Sequence, residues 1–91
     1  MTVLILESVS PGLRGEITRW LLELKPGVFV GTLSAMVRDL LWEKVCNEAA
    51  DGGCVLVHRA ANEQGFAIRM EGRTSKVVED FEGLLLMRVP E

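Results

Sequence analysis

Thr2-Val3-Leu4-Ile5-Leu6-Glu7-Ser8-Val9-Ser10-Pro11-Gly12-Leu13-Arg14-Gly15 decides how this chain reads. Thr2 to Leu6 is β-branched and aliphatic without a polar break, the pattern of a central strand covered on at least one face. Glu7 ends that run. Ser10 then stands at the N-cap position of a helix, with Pro11 in the first helical place, where its missing N–H is no loss. Arg14 falls in the first turn, where a cation opposes the helix dipole, so local stability does not select it. A carboxylate at the end of a strand, beside a helix start that carries a cation, is a common setting for phosphate or metal chemistry. Glu7 and Arg14 are therefore the first candidate site residues. The alternative is a glutamate that is simply solvated at a strand end.

Outward from this stretch, Leu13, Ile17, Trp20, Leu21 and Leu24 recur at helical spacing and predict a helix over Pro11–Leu24. Glu16, Arg19 and Glu23 lie off its apolar stripe. Lys25-Pro26-Gly27 is a stop signal, and Val28-Phe29-Val30 follows as a short strand between glycines. Ser34 is the expected N-cap of a second helix reaching about residue 50. Leu33, Met36, Val37, Leu40, Leu41 and Val45 form its expected main apolar face. Trp42, Cys46 and Ala49 form a second stripe, covering either the rim of the same core or another chain.

After the turn at Asp51-Gly52-Gly53, Cys54–Val57 is again a buried-strand run, ending in His58 and Arg59. A loop over Ala60–Gly65 leads to Phe66, Ile68 and Met70, which alternate with Ala67, Arg69 and Glu71 as in a strand with one apolar and one polar face. Gly72–Gly83 is a polar connection of twelve residues, long enough for a binding or crossing-over role. Leu84–Val89 is the last expected strand. The order βαβαββ, then a C-terminal strand, predicts one domain over residues 1–91, α+β and ferredoxin-like, with both helices on one face of a mostly antiparallel sheet. Residues 84–91 form a strand and tail able to pair with a partner's sheet. The uncovered sheet face is too apolar to meet water, which predicts a homodimer through sheet faces.

Composition agrees with a small core. The chain has ninety-one residues, 48% of them hydrophobic, and a formal net charge of −3. That charge gives no sign of a general polyanion binder, so any nucleic-acid surface must be a local patch. Cys46 and Cys54 lie in apolar segments without a CxxC or Cys/His cluster and read as buried thiols in a reducing compartment. No apolar stretch approaches the ~20 residues of a membrane span, and no basic leader precedes the first strand, so the expected location is cytoplasmic. There is no GxGxxG, P-loop, HExxH or nucleophile elbow. His58 reads as a hydrogen-bonded structural histidine. Glu7 alone is too few ligands for a metal unless a symmetry mate supplies a second carboxylate. Arg14, Arg73 and Lys76 form a candidate phosphate-contacting patch, against the alternative of ordinary solvated cations.

Leu13-Arg14-Gly15, Trp20-Leu21-Leu22-Glu23, Gly27-Val28-Phe29-Val30-Gly31, Ser34-Ala35 with Arg38, and Trp42-Glu43 follow one another in a recognisable order. The chain resembles the small CRISPR-associated endoribonuclease-like subunit of the spacer-acquisition machinery, in its subtype I-E form. The resemblance covers essentially the whole chain. It implies a homodimeric adaptor that bridges dimers of the larger integrase subunit and binds the backbone of double-stranded foreign DNA. It also implies a metal-dependent endoribonuclease, with Mg²⁺ held by an acid at the end of the first strand, here Glu7. Many relatives outside this subtype carry aspartate at that position, and the extra methylene displaces the ligand. A second cation often precedes the position of Arg14, where this chain has Gly12. The paired cations of the long loop are matched by Ser75 and Lys76, with Arg73 nearby. Three functions from different classes thus stand open: a DNA-bridging adaptor, a Mg²⁺-dependent nuclease, and a ligand-sensing module that dimerises through its sheets.

Overall fold

The computed structural model describes residues 1–49 and 51–72. The connection after Gly72, the expected strand Leu84–Val89 with its tail, and the candidate residues Arg73 and Lys76 lie outside the described residues. The elements are β1 (Thr2–Glu7), α1 (Pro11–Ile17), β2 (Leu22–Lys25), β3 (Val28–Gly31), α2 (Ala35–Glu48), β4 (Gly53–Arg59) and β5 (Phe66–Gly72). The five strands form one sheet in the order β2-β3-β1-β4-β5, and every neighbouring pair is antiparallel. This is the expected α+β, ferredoxin-like arrangement, with β5 added beside β4 through the expected hairpin.

β1 alternates strictly between buried and half-buried residues, so its two faces differ. Leu4 and Leu6 point to the side of the helices. There they share one core with Phe29, Cys54 and Leu56 from the sheet, Leu13 and Ile17 from α1, and Leu41 and Val45 from α2. Both helices therefore cover the same face. Val3 and Ile5 point the other way, in register with Val30 and Val28 on β3 and with Val57 and Val55 on β4. Ile68 and Met70 continue that row on β5. The described helices leave this second face to its aliphatic side chains.

The first helix departs from the expected course. It stops at Ile17; Trp20 and Leu21 lie in the turn that follows, and Leu22 and Leu24 belong to β2. Leu21 is still buried, and its N–H donates to the Ile17 carbonyl at 3.1 Å. Trp20 and Leu24, by contrast, are exposed. Leu, Glu and Lys are good helix formers, but β3 offers this segment a pairing partner just across a tight turn. Pro26 and Gly27 fill the centre of that turn, as a type II turn prefers. Gly27 has φ +83°, and a side chain there would strike the Leu6 carbonyl. Its own carbonyl accepts from Leu6 N at 2.7 Å, which ties the turn to β1.

α2 begins as expected, with Ser34 Oγ accepting from Val37 N at 3.2 Å. Its buried face keeps Leu41 and Val45 of the expected main stripe but not Met36 or Leu40. Met36 and Leu40 are 72% and 59% exposed, while Leu41, Val45 and Ala49 are buried and Trp42 and Cys46 pack against the core from its rim. Cys46 and Cys54 are free thiols that adjoin each other between α2 and β4. Burial pushes both thiols up, Cys54 to about 12.

Candidate nucleic-acid interface and acidic strand end

The N-terminus of α1 is built as its sequence dictates. Ser10 Oγ accepts from Leu13 N at 3.2 Å, Pro11 takes the first helical position, and Leu13 and Ile17 turn inward. That orientation leaves Arg14 on the flank of the helix that faces the sheet edge. β2 brings Glu23 there, opposite Phe29 on the helix side of the sheet. Arg14 Nε and Nη2 both donate to Glu23 Oε2, at 3.2 and 3.0 Å. The same oxygen accepts from Gly27 N at 3.0 Å. The Gly27 N–H, and then the Arg14 guanidinium, hold the Glu23 carboxyl below its ordinary range. Arg14, the expected phosphate contact, is thus an ion-paired and half-exposed side chain. Glu23 is the residue that sequence reading missed, because a helix through Leu24 places it on the solvent side.

Glu7 closes β1 on the face turned away from the helices, opposite Gly53, which in turn lies opposite Gly72. It is half-buried, and its Oε1 is buried with no hydrogen-bond partner among the described residues. Gly52 packs against the carbonyls of Glu7 and Ser8, so the backbone closes tightly round this strand end. Arg14 and Glu7 therefore do not converge in the way their sequence proximity suggests: Arg14 is committed to Glu23 on the helix side. Among the described residues, no group of three His, Cys, Asp or Glu side chains is placed to hold a metal ion. Magnesium keeps several waters but still asks for one or two carboxylates in near-octahedral geometry. Glu7 belongs to no such group among the described residues.

A second polar cluster joins α2 to the β4–β5 hairpin. Asp39 Oδ1 accepts from Arg38 Nε at 3.1 Å and from Arg69 Nη1 at 2.9 Å. Arg38 Nη1 also reaches His58 Nδ1 at 3.2 Å, and that nitrogen lies 2.9 Å from the Arg59 carbonyl. His58 is buried and hydrogen-bonded, as expected of a structural histidine. The guanidiniums beside Asp39 hold its carboxyl below the ordinary range.

No helix among the described residues is long and apolar enough to cross a membrane. Residues 1–86 match the family described as CRISPR-associated protein (Cas_Cas2CT1978), a match that includes β1, the Arg14 helix, the sheet and the candidate cations beyond Gly72. Spanning nearly the whole chain and every described element, that match makes this protein a member of this CRISPR-associated protein family, consistent with a Cas2-like protein.

Proposed function

We propose that the chain is the homodimeric adaptor of CRISPR spacer acquisition, bridging dimers of the integrase subunit and contacting the backbone of a foreign DNA duplex. The observation that carries this reading is the aliphatic sheet face on which half-buried Val3, Ile5, Val28, Val30, Val57 and Ile68 surround the buried Val55, a face the described helices do not cover. Two such faces packed together remove that surface from water and give a two-fold platform. Arg14 from each protomer, with Arg73 and Lys76 as sequence candidates, supplies cations for phosphate. The mild negative net charge does not itself attract DNA, so on this reading the contacts come from these few placed cations.

The second reading, a Mg²⁺-dependent endoribonuclease using Glu7, is favoured by the buried, unpartnered Oε1 of that residue among the described residues. A carboxylate oxygen removed from water asks for a donor or a cation. Among the described residues no group of acids joins Glu7 to hold a metal, so this reading looks to the Glu7 carboxylate of a second protomer to complete the site.

Reconstitution with the integrase subunit, a DNA duplex and a repeat-containing target separates the two. Glu7→Gln is expected to leave integration intact, because the adaptor depends on shape and cations. Loss of most integration by a folded, dimeric Glu7→Gln protein overturns the adaptor reading in favour of a metal site. Replacing Arg14, Arg73 and Lys76 together by alanine is expected to weaken DNA binding. It should also flatten the salt dependence, by about 0.9 for each phosphate no longer neutralised. An unchanged slope means the patch is ordinary solvated surface.

A further inference from the structure

We infer that Glu23 is a positioning residue for DNA binding: it fixes the Arg14 guanidinium in the orientation that meets the phosphate backbone. This inference rests on the reading of Arg14 as a DNA contact and adds to it the residue that makes the contact effective. Three donors converge on one oxygen, Glu23 Oε2: Arg14 Nε, Arg14 Nη2 and Gly27 N. The last of these is a fixed point. Gly27 sits in a turn with φ +83°, and its carbonyl is held by Leu6 N on the central strand. The Arg14 head is therefore tied, through one carboxylate, to the backbone of β1 and the β2–β3 turn.

A guanidinium has five N–H donors in a rigid fork, and this arrangement occupies only one of its edges. The remaining donors stay available to a second acceptor, and the half-exposed side chain leaves them within reach of a ligand. An arginine already held in place loses less freedom when it binds phosphate, so orientation is gained before the encounter. Against this stands the negative charge of Glu23, which opposes a phosphate nearby. The two effects have different chemical requirements. Holding the guanidinium needs a hydrogen-bond acceptor, which glutamine retains; repulsion needs the charge, which glutamine lacks.

The test measures DNA affinity and its salt slope for the homodimer assembled with the integrase subunit. It compares wild type, Arg14→Ala, Glu23→Ala, Glu23→Gln and the Arg14→Ala/Glu23→Ala pair. Arg14→Ala and Glu23→Ala are each expected to weaken binding by roughly tenfold, the size of one charge-assisted contact. Glu23→Gln is expected to remain within about twofold of wild type or to bind more tightly, since a phosphate neighbour is freed of a repulsive charge. Glu23→Ala is expected to add nothing in the Arg14→Ala background, the signature of two residues acting as one unit. A Glu23→Ala effect that persists in that background overturns the inference and assigns Glu23 to the fold of the turn. So does a folded Glu23→Ala protein that binds like wild type, or a Glu23→Gln as weak as Glu23→Ala. An Arg14→Ala protein with unchanged affinity and slope removes the DNA-contact reading itself, and the role of Glu23 with it.

Discussion

Lys44 Nζ on α2 lies 2.7 Å from Glu16 Oε2 on α1, and this ion pair joins the two helices over their shared core. Lys44 reaches Glu48 on its own helix at the same distance. Its ammonium and the bond it donates hold the Glu16 carboxyl below the ordinary value of 4.5, while the two acids raise Lys44 above 10.5.

Stability is therefore expected to fall on both flanks of pH. Glu16, Glu23 and Asp39 all have lowered folded values, so their contribution is complete above the unfolded carboxylate range of about 4 and is lost as pH falls through the folded values. Lys44 contributes fully below about 10.4, and its contribution is lost as pH rises through the raised value. Urea midpoints across the acid range give the first limb. Lys44→Ala should flatten it only in part, because Glu23 and Asp39 keep their own cations. A limb of unchanged steepness in Lys44→Ala means that the bridge between helices contributes nothing to it.

Leu40 and Leu41 are adjacent in sequence and opposite in consequence. Leu41 is buried beside Val45, and its truncation to alanine is expected to lower stability by about 2–5 kcal/mol. Leu40→Ala should stay within about 0.5 kcal/mol, the range of surface substitutions. Chemical denaturation of both variants measures the difference, and equal losses contradict the packing of α2.

Gly27→Ala is expected to destabilise the protein by more than about 1 kcal/mol, because an alanine resists the positive φ and its Cβ meets the Leu6 carbonyl. The exposed Gly65, also at positive φ but with open space around it, should tolerate alanine better. Thermal melts of the two variants rank them directly.

Cys54 is fully buried with its thiol pushed up to about 12, and it donates to the Glu71 carbonyl at 3.7 Å. A thiol reagent at mildly alkaline pH is expected to leave Cys54 unmodified in the folded protein and to label Cys46 slowly, since the thiolate is the reactive form. Both should label rapidly in denaturant. Fast native labelling of Cys54, read by peptide mass, refutes the buried placement.

Much of this architecture is written in local sequence. The unbroken aliphatic run before Glu7, the Ser10-Pro11 and Ser34 helix starts, and the alternation from Phe66 to Met70 are short-range signals, and each produces the element it predicts. They are legible because capping and strand alternation depend on neighbours in the chain. The family order of residues is legible too, and it carries the functional reading further than any single site residue does.

Tertiary structure alone decided the fate of Leu22–Lys25. Its residues favour a helix locally, but pairing with β3 through the Pro26-Gly27 turn satisfies the same backbone groups and leaves Leu21 in the core. That choice also turned Glu23 from a solvated helix residue into the partner of Arg14. Likewise the apolar residues of α2 span more than one face, and only the positions of α1 and the sheet select Leu41 and Val45 for burial over Met36 and Leu40. Sequence by itself determined where most segments begin and which of them pair or coil; packing determined which side of each segment faces the core and which charges meet, because those depend on residues distant in the chain.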